Sequence, residues 1–412
     1  MSFTFSEQQL IKEGMLLMSR KEFDAAADLF TRILRDHPTS IEAYFCLGNA
    51  HVGRKDYVQA LETFNKILVI APNEPAVYFN RGCVYQKMLN HDRAIVEYTT
   101  AITVKPTYAE AYYNRGNVFF AIGRINEATI DFERAILENP HDADPYVALG
   151  LIHLVGHRPE QAIVEFSRAI ECNPKHAKAY GNRGNAYDML EKYDDALIDY
   201  AKVEELNPRD AKMFLNRATV KFKINDNEGA IADYTEAIKV APNNAKSYTG
   251  RGHIFLRMKH YQKAIEDFSE AIRLTPNDAL YRVRRGQAYV ASGDKERGLT
   301  DFQEAIRLQA DNWEAWYHLG VTHLKLGRVE EALADHDTAI KFNATSASVH
   351  FSRAIILRIL KRLEESLVAF NRVIELDAGN VAAYKNRAEV QRLLGQEELA
   401  ANDFQKAAEL VK

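Results

Sequence analysis

A single spacing of 34 residues runs through the whole chain and limits the folds that it can adopt. A series of small residues recurs at this interval: Gly14, Gly48, Gly82, Gly116, Gly150, Gly184, Ala218, Gly252, Gly286, Gly320, Ala354 and Ala388. A second series of small residues, from Ala26 to Ala400, follows twelve positions later. A period of roughly 20 to 50 residues indicates stacked repeats of one structural unit, not a single globular core.

An aromatic ring stands four residues after nearly every member of the second series. Eleven of the twelve slots hold Phe or Tyr, and His336 is the exception, although aromatic residues make up only 10% of the chain. Small residues let two helices approach closely, and a ring one turn later fills the space beside the contact. Each unit therefore predicts a pair of helices, the second packing through residues such as Ala128, Ile130, Phe132 and Ala135.

Prolines and capping residues mark the helix boundaries. Proline is predicted to end the second helix of repeats one to eight, at Pro38, Pro72, Pro106, Pro140, Pro174, Pro208, Pro242 and Pro276. Residues with N-cap preference often follow two positions beyond this slot, as at Ser40, Asp142, Asp210, Asn244, Asp278, Asn312, Ser346 and Asn380. Ser6 and Gln9 predict a capping box on the first helix. No insertion breaks the spacing, so we predict one continuous domain over residues 1–412.

The order of aromatic, glycine, alanine, aromatic, alanine and proline residues resembles the tetratricopeptide repeat. The resemblance covers twelve units from about residue 7 to the end of the chain. It implies an all-α fold, in which antiparallel helix pairs stack into a right-handed superhelical solenoid with the first helices on the concave face. In such arrays each repeat contacts mainly its neighbours.

The resemblance also implies which side chains line the concave groove, where ligands of this family bind. The groove positions of repeats two to four are aromatic and rich in amides, and they include Asn80, Asn114 and Asn117. Those of repeats six to nine are basic and rich in amides, and they include Lys178, Asn182, Asn185, Lys212, Asn216, Lys246 and Arg284. Asparagine can hold the backbone of an extended peptide by donating and accepting hydrogen bonds. We predict an extended, acidic peptide ligand; alternatively, these residues only keep the groove soluble.

A more specific hypothesis fails at two positions. Cochaperones of this family hold acidic chaperone tails with five clamp residues, of which this chain supplies Asn185, Asn216 and Lys246, but Gly181 and Gly250 stand where the outer cations belong. Losing both charge-assisted contacts would remove roughly 3 kcal/mol from carboxylate recognition. The sequence therefore disfavours binding of chaperone tails, and an internal acidic or phosphorylated segment remains open.

The sequence contains no recognisable catalytic or metal-binding motif. A phosphate-binding loop, a nucleophile elbow and a dinucleotide fingerprint are all missing, and Cys46, Cys83 and Cys172 lack the spacing of a zinc site. His323 and His336 occupy the two ring slots of one repeat, so we expect them to touch and to fill ring-shaped space. A metal site or a pH switch is the alternative. We therefore expect no enzyme activity, no catalytic residue, no metal and no cofactor.

Charge and hydropathy narrow the classes of partner. A net charge of −4 provides no basic field for nucleic acid, and the absence of 18 consecutive apolar residues argues against membrane insertion. The N-terminus shows no secretory leader and the cysteines are few, which favours a cytoplasmic location, with cytoskeletal or ciliary association as a variant. The last repeat lacks a separate polar capping helix. Either its own polar residues Asn402, Gln405, Lys406 and Glu409 cap it, or a partner or a second copy of the chain docks there.

Three functions remain compatible with these features. The first is an adaptor that binds a protein or peptide ligand in the groove. The second is a rigid scaffold of a cytoskeletal, axonemal or other multiprotein complex, which would use the convex face and the ends. The third is a regulatory array for an enzyme in another chain. A further structural prediction concerns Arg115 and Asp131, which stand one residue before Gly116 and Phe132. An ion pair between them is expected, and seven repeats carry both residue types.

Overall fold

The computed structural model describes residues 6–411 of the chain. The chain divides into two compact units, residues 1–208 and 209–412, and the division falls between the sixth and seventh repeats. The described residues form 24 helices in consecutive pairs and contain no strand. None of these helices has the length and apolar character needed to cross a membrane. The predicted all-α fold class is therefore confirmed, while the single continuous domain stays a prediction.

Each unit consists of six helix pairs, and the odd-numbered helix of each pair is called its first helix. Unit 1 contains α1 (Glu7–Ser19), α2 (Phe23–Asp36), α3 (Ile41–Gly53), α4 (Tyr57–Ile70), α5 (Pro75–Lys87), α6 (His91–Val104), α7 (Ala109–Ala121), α8 (Ile125–Glu138), α9 (Ala143–Val155), α10 (Pro159–Cys172), α11 (Ala177–Met189) and α12 (Tyr193–Leu206). Unit 2 contains α13 (Ala211–Lys223), α14 (Asn227–Val240), α15 (Ala245–Arg257), α16 (Tyr261–Leu274), α17 (Ala279–Ser292), α18 (Lys295–Leu308), α19 (Trp313–Lys325), α20 (Val329–Phe342), α21 (Ala347–Ile359), α22 (Leu363–Leu376), α23 (Val381–Leu393) and α24 (Glu397–Glu409).

The contact between a small residue and a ring holds each pair together, as predicted. A Cβ atom on Gly116 would lie 2.7 Å from the ring of Phe132, so alanine cannot enter without moving that ring. Phe132 is fully buried in the contact. The prediction that Ile130 packs in the same face is wrong, because its side chain is 58% exposed. Ile130 lies two residues from Phe132, which on a helix of 3.6 residues per turn places it on the opposite side.

Every pair turns through one residue with a left-handed backbone. The φ angle is positive at the same slot in all twelve repeats: Lys21, Lys55, Leu89, Gly123, His157, Glu191, Asn225, Lys259, Gly293, Gly327, Lys361 and Gly395. In the first turn the amide of Glu22 donates to Leu17 and that of Lys21 to Met18, which is the Schellman arrangement that satisfies the last carbonyls of a helix. Only four of these residues are glycine, so the others carry backbone strain.

The predicted helix boundaries are largely confirmed. The capping box of Ser6 and Gln9 is formed, and seven of the eight predicted N-caps accept a backbone hydrogen bond. The predicted N-cap at Ser346 is wrong, because its hydroxyl lies 3.0 Å from that of Ser348 and accepts no backbone hydrogen bond from the helix. Helices α18, α20 and α22 end at the usual slot although alanine replaces proline there. Helix termination therefore depends on packing as well as on proline.

In several repeats an arginine side chain also bonds the repeat before it. Nε and Nη2 of Arg115 donate to Asp131 at 2.8 and 2.7 Å, while Nη1 donates to Thr99 of the preceding repeat at 2.8 Å. The predicted pair of Arg115 and Asp131 is confirmed. The other six repeats that carry both residue types form the same pair: Arg81–Glu97, Arg183–Asp199, Arg217–Asp233, Arg251–Asp267, Arg285–Asp301 and Arg387–Asp403. Where Ala369 removes the acid, Arg353 turns back to Asp337 at 2.6 Å. The contact to the preceding repeat was not predicted.

Candidate functional site

Successive first helices lie against one another and form one surface in each unit, here called the first-helix face. In unit 1, α1 contacts α3, α5 contacts α7 and α9 contacts α11; in unit 2 the same holds from α13 through to α23. Side chains also meet across these helices, because Arg358 donates to Asn386 at 3.0 Å and Arg284 lies 3.2 Å from Glu314. The residues predicted to line the groove lie on these helices.

In unit 1 the first-helix face contains a cluster of aromatic and polar groups. The ring of Phe79 lies 5.8 Å from that of Tyr98 and 5.1 Å from that of Tyr108. The hydroxyl of Tyr98 donates to Gln86 at 2.9 Å and to the thiol of Cys83 at 3.4 Å. Burial raises the pKa of the Cys83 thiol, more than the Tyr98 hydrogen bond lowers it. The thiol is therefore neutral, and the nearest charge shown at the cluster is the ammonium of Lys105, 4.9 Å from the Tyr108 ring.

The six asparagines predicted as peptide-binding residues are all partly buried: Asn80, Asn114, Asn117, Asn182, Asn185 and Asn216. Several already have partners within the protein. The amide nitrogen of Asn80 donates to the Ala76 carbonyl of its own helix at 2.8 Å, and the oxygen of Asn185 accepts a hydrogen bond from the Tyr200 hydroxyl at 2.8 Å. A ligand that uses these amides would therefore meet groups that are already oriented by internal hydrogen bonds.

The three predicted lysines are exposed on their helices. Lys178 is the second residue of α11 in unit 1, and Lys212 and Lys246 occupy the equivalent position in α13 and α15 of unit 2. No ion pair of their ammonium groups occurs among residues 6–411, so each charge is available to a ligand. Lysine and asparagine four residues apart, such as Lys212 and Asn216, share one side of a helix. The ammonium group of Lys212 and the amide of Asn216 therefore lie on the same side of α13.

A cleft of about 760 Å³ adjoins Lys246 in unit 2. It is lined by Pro242, Asn243, Thr275 and Tyr281 together with Lys246 itself. This volume lies in the range of roughly 300 to 1,000 Å³ that is typical of ligand pockets. Residues 209–412 carry 31 basic and 28 acidic residues, whereas residues 1–208 carry 22 and 29. The cleft therefore lies in the unit that carries a net positive charge.

A second cleft, of about 450 Å³, was not predicted. It lies on unit 2 between the rings of Tyr317 and Phe351, with Ser348, Asp377 and Asn380 at its border. Tyr317 and Phe351 occupy the same position of the first helix as Tyr113, one of the aromatic groove positions of repeats two to four. An aromatic residue at this position could therefore have indicated the cleft from the sequence. The tenth and eleventh repeats lack the basic groove residues on which the prediction relied, so the cleft was missed.

The remaining predicted residues are less free. Arg284 forms an ion pair with Glu314 and also donates to Gln287 at 3.3 Å. A Cβ atom on Gly250 would lie 2.4 Å from the ring of Tyr234. A cation therefore cannot be accommodated at Gly250 without displacing that ring, which agrees with the failure of the five-residue clamp.

The histidines of the tenth repeat are held inside the protein. His336 is fully buried, and its ring occupies the place beside Gly320 that Phe or Tyr fills elsewhere. His323 lies 2.6 Å from the carboxylate of Asp335, which in this repeat has no arginine because Leu319 stands in that slot. Burial and the nearby Arg284 lower the pKa of His318 to about 4. Among residues 6–411 no three His, Cys, Asp or Glu side chains cluster as metal ligands would.

Comparisons with known proteins agree with this geometry. Family models described as "Tetratricopeptide repeat" match residues 17–78, 109–142, 177–210, 245–278 and 283–348, and a model described as "TPR repeat" matches residues 90–123 and 220–259. Together they cover more than half of the chain. The chain belongs to the tetratricopeptide repeat (TPR) family.

Solved structures similar to this TPR array include other members of the fold. The Cut9–Hcn1 hetero-tetramer of the APC/C gives a TM-score of 0.50 at 13% identity, covering 98% of this chain and 94% of that one. Yeast Tom70 gives 0.48 at 18% identity, covering 89% and 91%. YrrB, described as a TPR protein with an unusual peptide-binding site, gives 0.40 at 24% identity, covering 45% and 95%. A search of curated proteins found no match.

Membership of the TPR family also defines the general class of function. TPR repeat proteins are generally non-enzymatic scaffolds that bind other proteins. At this level the expectation of a protein partner is met, while the ligand, the binding face and the compartment stay predictions.

Proposed function

We propose that the protein is an adaptor that binds an extended, acidic segment of another protein on its first-helix face, with unit 2 making the charged contacts. The observation that carries the proposal is the pair Lys212 and Lys246, which stand at one position of successive repeats with exposed and unpaired ammonium groups. Carboxylates of an extended peptide are the natural partners of such a row.

The two clefts of unit 2 indicate what else the ligand would contain. The cleft beside Lys246 has the size for a carboxylate side chain and its neighbours. The cleft between Tyr317 and Phe351 offers two rings and thus suits an aromatic or branched aliphatic side chain. A ligand with an acidic stretch and an apolar anchor would use both, and Asn216 would contribute hydrogen bonds to its backbone.

A fluorescence-anisotropy experiment tests the charge requirement. The probe is a fluorescein-labelled decapeptide rich in Glu and Asp, compared with the same peptide carrying Gln and Asn. We expect the acidic peptide to bind and the Lys212→Glu/Lys246→Glu variant to bind it at least tenfold more weakly, because two charge-assisted contacts worth roughly 1 kcal/mol or more each become repulsive.

The matched control is Lys259→Glu/Lys341→Glu, which makes the same change in net charge at exposed positions away from the first-helix face. This variant should retain affinity within about twofold. Equal binding of the acidic and the neutral peptide, or equal losses in both variants, would contradict the proposal. In cells, the same substitutions should remove the main partner from a pull-down.

The scaffold function has its own support. The second helices of unit 1 carry exposed apolar side chains, which could contact another protein without using the first-helix face. If a pull-down retains its partners after Lys212→Glu/Lys246→Glu but loses them after removal of the last repeat, the scaffold function is favoured instead.

A further inference from the structure

A row of exposed apolar side chains runs across the second helices of unit 1. Val96 of α6, Ile130 of α8, Val164 of α10 and Ile198 of α12 occupy the same slot in four successive repeats and are 62%, 58%, 49% and 68% exposed. We call these four residues the outer row. Single exposed apolar residues are common on proteins, but four in register form a surface that marks a binding site.

The fold does not require apolar residues in this slot. Asp28 and Glu62 occupy it in α2 and α4, and Glu266 occupies it in α16, yet all three helices form the same pairs. In unit 2, Val368 of α22 has a similar exposure of 66%, but Thr300 rather than a large apolar residue stands in the slot two repeats earlier. The outer row is therefore a property of repeats three to six in unit 1 and not of the repeat in general.

Charged rows lie on both sides of the outer row. One helical turn before it stand the acidic residues Asp92, Glu160 and Asp194, and one turn after it stand the basic residues Arg134, Arg168 and Lys202. Residues four apart share one side of a helix, so the three rows form a single surface. Arg168 and Lys202 also contact Glu165 and Glu205 on their own helices, so the charges contribute to orientation more than to affinity.

We propose that this surface binds the same surface of a second copy of the chain, about a two-fold axis that runs along the outer row. Rotation about that axis brings the acidic row of one copy opposite the basic row of the other. Arg168 then faces Glu160 of the second copy, and Lys202 faces its Asp194. A two-fold axis across the row would place acid against acid and base against base, so charge selects the first arrangement.

The proposed contact is independent of peptide binding, and it differs from docking at the last repeat. It uses second helices of unit 1 only, so none of the residues proposed to bind the peptide takes part in it. A dimer would carry two peptide-binding faces and would hold a partner with two acidic segments more tightly than one copy can.

Sedimentation analysis of the full chain tests the association over roughly 1 to 200 µM, the range in which interfaces of modest size dissociate. We expect a reversible dimer that weakens at least tenfold in Ile130→Glu/Ile198→Glu. Val368→Glu makes the same kind of change at similar exposure outside the row and should leave the dimer unchanged. A wild-type chain that stays monomeric over the whole range would overturn the proposal, as would equal weakening by Val368→Glu.

Two further variants test the direction of the axis. Arg168→Glu should weaken the dimer, and Arg168→Glu/Glu160→Arg should restore it, because both facing pairs are then reversed together. Val164→Cys should form disulfide-linked dimers under mild oxidation, since each outer-row residue faces its own counterpart, whereas Val368→Cys should not exceed the parent chain. If a mixture of Val96→Cys and Ile198→Cys chains crosslinks better than Val164→Cys, the axis runs across the row and the proposed arrangement is wrong. Circular dichroism confirms that each variant is folded.

Discussion

Replacing Arg251 by leucine is expected to loosen three helices at once. Nε and Nη2 of Arg251 donate to Asp267 at 2.9 and 2.8 Å, and Nη1 donates to Thr235 at 3.0 Å. The side chains of Arg251 and Asp267 are only 20% and 7% exposed. Removing one partner of a buried ion pair costs roughly 3 to 5 kcal/mol, because the other charge is left without compensation. The remaining exposure of Arg251 places the loss near the lower limit, at about 3 kcal/mol.

The same substitution should change how stability depends on pH. Burial raises the pKa of Asp267 above its ordinary value of 3.8, and Arg251 lowers it only in part. Without Arg251 the pKa of Asp267 rises further, so the folded state holds a proton that the unfolded state releases above pH 3.8. Stability of the variant therefore falls as pH rises through the raised pKa. The deficit relative to the wild type should be smaller near pH 5 than near pH 8.

Native-state hydrogen exchange of α14, α15 and α16 measures this locally, which suits an array that does not unfold as one unit. Arg273→Leu is the control, since Arg273 is 65% exposed and pairs with Glu270 on its own helix. Exposed pairs contribute little to stability, so its loss should be clearly smaller than that of Arg251→Leu. The double variant Arg251→Leu/Asp267→Leu should recover most of the stability. The reasoning is refuted if Arg251→Leu costs no more than Arg273→Leu, or if the double variant is less stable than Arg251→Leu.

Two smaller predictions concern a turn and a histidine. Leu89→Gly should raise the melting temperature, since Leu89 has a φ of 58° and is 76% exposed, and glycine relieves roughly 1 kcal/mol of strain. Gly123 has a φ of 79° at the same slot, so Gly123→Ala should lower the melting temperature by a similar amount. If both variants shift the melting temperature in the same direction, the explanation by backbone strain is wrong. Burial and Arg284 lower the pKa of His253 from 6.5 to about 4. As pH falls from about 6.5 to about 4, His253 therefore takes up a proton in the unfolded state but not in the folded state. The free energy of unfolding should decrease over this range by at most about 3 kcal/mol. Thermal melts should show a flatter pH profile for His253→Phe, and an unchanged profile would show that His253 is not the cause.

The helix pairs could be predicted because the packing that defines them is local. Gly116 and Phe132 meet within one repeat, and the same contact recurs at the same spacing, so the sequence contains twelve independent examples of one rule. The turns could not be predicted in the same way. Leu89 and Lys259 have no preference for a left-handed backbone, and they adopt it because the packing of two helices outweighs a strain of roughly 1 kcal/mol.

Contacts between repeats were harder to predict than contacts within them. The pair of Arg115 and Asp131 followed from the register, whereas the bond to Thr99 depends on how one repeat stacks on the next. For the same reason the contact by which Glu314 of the following repeat neutralises Arg284 could not be predicted from the repeat register. The apolar character of Ile130 predicts packing against the partner helix, but its position on the helix faces away from that partner.

The arginine contacts also bear on how such a chain can change length. Arg251 joins Thr235 to Asp267, and 34 residues later Arg285 joins Ser269 to Asp301 with the same atoms. Deleting 34 residues that include Arg251 but leave Thr235 in place would bring Arg285 into register with Thr235, and both bonds would re-form. Removal or addition of one whole repeat by unequal recombination therefore leaves this junction chemically complete. At such junctions the hydrogen bonds of one side chain favour changes of length in whole repeats.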